Sequence, residues 1–248
     1  LNMISELWEA SPEQALDVAV AMVDALPETA VSVAEEYIAN AMHEQQEEAP
    51  GSQANADEVD YQGTVELVER ISGIAPEQAL DVAVAVVEAI PDSAAEVAAE
   101  VAGNITDNDD GSECSVWAGD SSVNEAAVEL TQRLSDASPY NVLDVAVAVV
   151  ETLPDSAADI ASEVAGNITD NDDGSENSVW AGDSSDSAAA VELTQRISDA
   201  APENILDIAI AVVEALPEAA SDVLDEISLG DEARESEWVD SIDSKPKQ

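Results

Sequence analysis

The residues best suited to chemistry lie in an acidic stretch around Gly111, where Asp107, Asp109, Asp110 and Glu113 offer hard carboxylate oxygens in a turn. The set returns 63 residues later as Asp170, Asp172, Asp173 and Glu176. Such oxygens suit Ca2+, but the spacing is not that of an EF-hand. With Gly111 at loop position six, Thr106 falls first, Asn108 third and Asp110 fifth. Trp117 then falls twelfth, where a bidentate Glu is required. The carboxylates support a flexible, weak divalent-cation site or an ordinary solvated acidic loop, and no other cofactor is expected.

Other candidates are sparse. His43 and Cys114 are each unique, and Cys114 is replaced by Asn177 in the next copy, so neither belongs to a repeated nucleophilic or metal site. With fifty-six acids in the chain, paired carboxylates carry no information about acid–base catalysis. The expectation is that the protein is not an enzyme, since no convergent polar set is recognisable. Asn104 and Asn167 head N-x-T sequons, which matter only in a glycosylating export pathway.

The same acidic segments each carry one tryptophan, Trp117 and Trp180. Trp238, beside Glu237 and Asp240, is a degenerate third copy. The stretches from Gly103 and Gly166 match at 19 of 20 positions, whereas Ile74–Ala102 and Ala137–Ala165 match at 19 of 29. Loops ordinarily drift faster than packed elements. Either these segments are kept for a task, the tryptophans docking on a neighbouring surface, or that stretch was copied recently.

Six Lys and Arg against fifty-six Asp and Glu give a net charge of −50. Nucleic acid, anionic lipid and acidic substrates would add to this self-repulsion, so they are disfavoured as partners. Both lysines lie in the last four residues. The composition resembles that of proteins from salt-loving microbes, which implies habitat and not activity. In molar salt the Debye length falls to about 3 Å and the repulsion is screened. The longest apolar runs, such as Val18–Val23 and Val82–Val87, are six residues, so no membrane span is expected. The chain opens on Leu1 with no basic and apolar leader, as expected if a signal peptide was removed or never included.

What positions these groups is a repeat. The pattern P-x-x-x-L-D-(V/I)-A-(V/I)-A begins at Pro12, Pro76, Pro139 and Pro202, spaced 64, 63 and 63; a second proline follows at Pro27, Pro91, Pro154 and Pro217 with the same spacing. The chain reads as all-α: four tandem repeats of about 63 residues, each a small three-helix unit, joined by long acidic linkers. Repeats occupy 1–41, 64–102, 128–165 and 191–229, linkers 42–63, 103–127 and 166–190, and a C-terminal tail 230–248.

The first helix of a repeat is short, as in Thr64–Ile74, with Val65, Val68, Ile71 and Ile74 on one stripe. Helix two begins at the first proline, a residue suited to position N1, with Ser11 and Ser138 as N-caps and Ser11 with Gln14 as a capping box. Helix three begins at the second proline, followed by Glu28, Asp92, Asp155 or Glu218 at the positive end of the dipole.

In Ala79–Ile90 of helix two the only polar side chains are Asp81 and Glu88, seven residues apart, and the equivalents are Asp17 with Asp24, Asp144 with Glu151, and Asp207 with Glu214. A helix otherwise apolar all round must be covered on several sides, by its own unit and by another unit or another chain. A β-strand is the rival reading of V-A-V-A-V-V, set aside because of the Ala content and the seven-residue acid spacing. Arg70, Arg133 and Arg196 share one position near the end of helix one, suited to the dipole or to the acid stripe of helix two, and the first repeat has Glu6 there.

The expected partner is therefore the protein itself, as a homo-oligomer or polymer. The expected role is that of an exported structural repeat protein at the cell surface or outside the cell, assembling into a filament, sheath or lattice in high salt. The alternative is a monomeric acidic cation-binding or adaptor protein with each unit a separate bead.

Overall fold

A computed structural model of the chain describes residues 12–48, 62–106, 122–169 and 186–228. Among these residues the protein is almost entirely helical and contains no strand. The α-helices are α1 (Pro12–Ala25), α2 (Ala30–Glu48), α3 (Gln62–Ile74), α4 (Ala79–Ala89), α5 (Ala94–Thr106), α6 (Val123–Ala137), α7 (Val142–Thr152), α8 (Ala157–Thr169), α9 (Asp186–Ala200), α10 (Ile205–Ala215) and α11 (residues 220–228). The V-A-V-A-V-V runs are helical throughout.

The prolines turn the corners. At seven of them a three-residue 3-10 turn, such as Pro76–Gln78 or Pro91–Ser93, precedes the next helix, so that α4, α7 and α10 begin three residues after their proline instead of at it. The residue before each proline serves both neighbours. Ile90 donates its N–H to the Val86 carbonyl at 2.8 Å, closing α4, and its own carbonyl accepts from the Ser93 N–H at 3.1 Å and the Ser93 hydroxyl at 2.8 Å. Leu26, Ala75, Ser138, Leu153, Ala201 and Leu216 repeat the backbone arrangement. A pre-proline residue is sterically driven out of the helical region, and proline lacks the N–H that would continue the helix, so one helix stops where the next begins.

Ser138 is the exception to expectation. It precedes its 3-10 turn without any side-chain cap, and its hydroxyl is buried with no hydrogen-bond partner. Ala75 and Ala201 hold the equivalent corner and are buried too, so the site selects small size and not capping. A capping box does occur, at Ser122: its hydroxyl accepts from the Glu125 N–H at 3.3 Å, while its N–H donates to the Glu125 carboxylate at 2.8 Å. That box opens α6 inside the stretch read from sequence as linker. Likewise α5 and α8 run on to Thr106 and Thr169. The Ser11 capping box lies outside the described residues.

The chain forms two compact bodies, Leu1–Ser156 and Ala157–Gln248. In the first, α2 packs on α4 and α5 packs on α7, so the third helix of one sequence period covers the second helix of the next. The first helices join this layer: α3 lies against α1, α4 and α5, and α6 lies against α4, α5 and α7. In the second body α8 packs on α10 in the same relation, with α9 against both. Helices of successive periods thus share one core within each body, and the picture of separate beads does not hold there. The cause is helix two itself, whose apolar circumference exceeds what the helices of its own period cover.

That core is built from Ala, Val, Leu and Ile. Val82, Ala83, Val86 and Val87 of α4 are fully buried, as are Val97, Ala98, Val101 and Ala102 of α5. Small side chains let the helix axes approach closely. Thr131 and Thr194, the buried hydroxyls of α6 and α9, are satisfied within their helices by the Ala127 and Ala190 carbonyls at 2.9 and 2.8 Å.

Candidate functional site

The packing sorts the sequence candidates into three groups. All eight acids of the helix-two stripe, from Asp17 and Asp24 to Asp207 and Glu214, are exposed, as their seven-residue spacing requires. Asp17 and Asp81 meet arginines. The Arg70 guanidinium on α3 reaches the Asp17 carboxylate on α1 at 2.9 Å, and Arg133 on α6 reaches Asp81 on α4 at 2.8 Å. Arg70 also lies 3.8 Å from Glu66, one turn back on its own helix. Each pair across helices joins the first helix of one period to the second helix of the period before it.

The sequon asparagines are both helical. Asn104 is partly buried on α5 and donates to the Glu100 carbonyl at 3.2 Å, and the following Ile105 is buried; Asn167 is exposed on α8. His43 is exposed near the end of α2. The carboxylates Asp107, Asp109, Asp110, Glu113, Asp170, Asp172, Asp173 and Glu176 lie outside the described residues, as do Cys114, Trp117, Trp180 and Trp238. Among the described residues no group of three or more His, Cys, Asp or Glu is placed to hold a metal ion, and no helix is long and apolar enough to cross a membrane.

Exposed aliphatic side chains form the third group, which sequence reasoning did not single out. Leu26 at the end of α1 is 53% exposed, Leu206 and Ile210 on α10 are 67% and 55% exposed, and Leu224 on α11 is 59% exposed. The equivalents of three of them in other periods are buried, Ile90 for Leu26, Leu143 for Leu206 and Ala161 for Leu224, while those of Ile210, Val84 and Val147, are half-buried. One signal was present in the sequence, because position 224 holds Leu where Ala34, Ala98 and Ala161 stand in the other periods. For Leu26 and Leu206 there was none, since every period has a large aliphatic residue there.

These side chains are apolar, and what such surfaces can do is bind another apolar surface. No family model matches the chain, and no curated protein or solved structure matches it.

Proposed function

We propose that the protein is a non-enzymatic structural repeat protein, four tandem three-helix repeats of about 63 residues joined by acidic linkers, that assembles with copies of itself. Its assembly is a filament, sheath or lattice, formed in high salt outside the cell or at its surface. The supporting observation is the recurrence of one packing relation, third helix on the following second helix, for α2 on α4, α5 on α7 and α8 on α10. Each period leaves apolar surface for the next to cover, and such a relation has no built-in end. The charge of −50 supports the environment: an acidic face of this density keeps copies apart until salt screens it.

Size-exclusion chromatography with light scattering, in low and in molar NaCl over a wide range of concentration, tests this reading. Species well above the 25.8 kDa of one chain are expected in molar salt. A monomer at every concentration would replace it with the monomeric cation-binding or adaptor reading. Replacing Trp117 and Trp180 together by Ser tests whether the linker tryptophans contribute, with loss of assembly at unchanged helical content as the expected result.

A further inference from the structure

The two compact bodies divide between Ser156 and Ala157, after the second helix of a sequence period and before its third. They do not divide at an acidic linker. The second body begins with α8, the third helix of one period, and continues beyond the linker to α9 and α10, the first and second helices of the next; α8 packs on both. The first body holds the same set, with α5 packed on α6 and α7. Residues 107–122 separate α5 from α6, and residues 170–185 separate α8 from α9, so in each body an acidic stretch lies between helices that pack together.

Side chains repeat the relation. Val97, Val101 and Ile105 are buried on α5, and Ile160, Val164 and Ile168 are buried at the same register on α8. Polar contacts cross the linkers as well. Arg70 reaches Asp17 across the first linker; across the second, Arg133 reaches Asp81 and the Asn141 amide donates to the Pro91 carbonyl. Each joins a residue after a linker to one before it.

We propose that the folded unit is displaced by one helix from the sequence period: it consists of a third helix with the first and second helices that follow, and the acidic linker is a loop inside it. The surface of α5 is then a docking site whose occupant is the α6–α7 segment of the same chain, and α8 serves α9–α10 in the same way. These partners hold each other without the covalent chain between them. Burial of apolar surface is indifferent to chain continuity, and a loop of this length contributes a closure entropy that changes slowly with its length. A linker so placed can be cut or lengthened without unfolding what it joins.

The test uses the full chain with the recognition sequence of a site-specific protease inserted between Gly111 and Ser112 in one variant, and between Gly174 and Ser175 in another. The uncut variants, compared with wild type by circular dichroism, show that the insertion itself is tolerated. After cleavage, verified on a denaturing gel, cut and uncut chains are compared in the same buffer by sedimentation velocity and circular dichroism. Identical profiles are expected at about 1 μM, with a Kd for the two pieces of about 0.1 μM or tighter. After unfolding in urea and dilution, the two pieces together are expected to regain the uncut helical signal, and either piece alone to regain less than its share. Pieces that separate and keep their helices would show that each sequence period folds by itself. Pieces that separate and lose their helices would show that the fold needs the tether. Either result overturns the inference. Any self-assembly is common to cut and uncut chains, so failure here leaves that reading untouched.

Discussion

Arg133 on α6 donates to the Asp81 carboxylate on α4 at 2.8 Å, fifty-two residues back along the chain, and Arg70 does the same to Asp17. Arginines are rare here, and these two sit where one period meets the one before it. The Asn141 side-chain amide makes a neighbouring link of the same kind, donating to the Pro91 carbonyl. In a chain that repels itself, these polar contacts set register between helices whose Ala and Val surfaces have little shape of their own.

The energy of such a pair is small, because both side chains are more than a third exposed. A double-mutant cycle of Arg133→Ala and Asp81→Ala, read by urea unfolding, is expected to give a coupling of about 0.5 kcal/mol at low salt. In molar NaCl the coupling should fall towards zero. A coupling unchanged by salt would mean that the guanidinium contributes through packing rather than charge.

Ser72, Ser135 and Ser198 occupy one equivalent position on α3, α6 and α9, and all three hydroxyls are buried without a hydrogen-bond partner. Removing a buried unsatisfied hydroxyl while keeping its volume relieves a cost of about 1 kcal/mol or more, so Ser135→Ala should raise unfolding stability by about that amount. Ser135→Leu should lower it by about 1–3 kcal/mol, because the same small volume is overfilled. Destabilisation by the alanine variant would show that the hydroxyl has an acceptor after all.

Leu80 and Leu206 are the same residue at the same place in the period, one buried and one exposed. Leu80→Ala is expected to cost about 2–5 kcal/mol and Leu206→Ala within about 0.5 kcal/mol, measured by urea unfolding under dilute, low-salt conditions. Equal costs would mean that Leu206 is covered within the single chain.

Gly63 near the start of α3 stands where a β-carbon would lie 3.3 Å from the buried Tyr37 hydroxyl on α2. Other periods pair a smaller Val101 or Val164 with Ala126 or Ala189 at these positions, so the large residue and the missing methyl go together. Gly63→Ala should be near neutral in thermal melts, since a propensity gain of about 0.5–1 kcal/mol is offset by displacing the hydroxyl. In a Tyr37→Phe background the same substitution should show the full gain.

Much of the local structure was legible in the residues. Acids seven apart marked the solvent side of helix two, and Asp81 and Glu88 are indeed exposed while Val82, Ala83, Val86 and Val87 are buried. The prolines marked the corners, because a pre-proline residue leaves the helical region whatever surrounds it. Legibility failed where the outcome depended on neighbours. Ser138 reads as a cap by type, but its corner is buried among other helices, and there a small side chain is what fits. Ser122, inside an acidic stretch, opens a helix because Glu125 answers it three residues on.

Helix type and corner position are decided within a few residues by sterics and backbone hydrogen bonds, and these the sequence by itself determined. Only the tertiary structure decided which helix covers which: that Arg133 meets an acid of the preceding period, that α5 lies on α7, and that Leu80 is buried while Leu206 is open. Burial of a side chain is set by whatever helix arrives from about fifty or sixty residues away. Identical residues at identical register therefore carry no local mark of whether that helix is there.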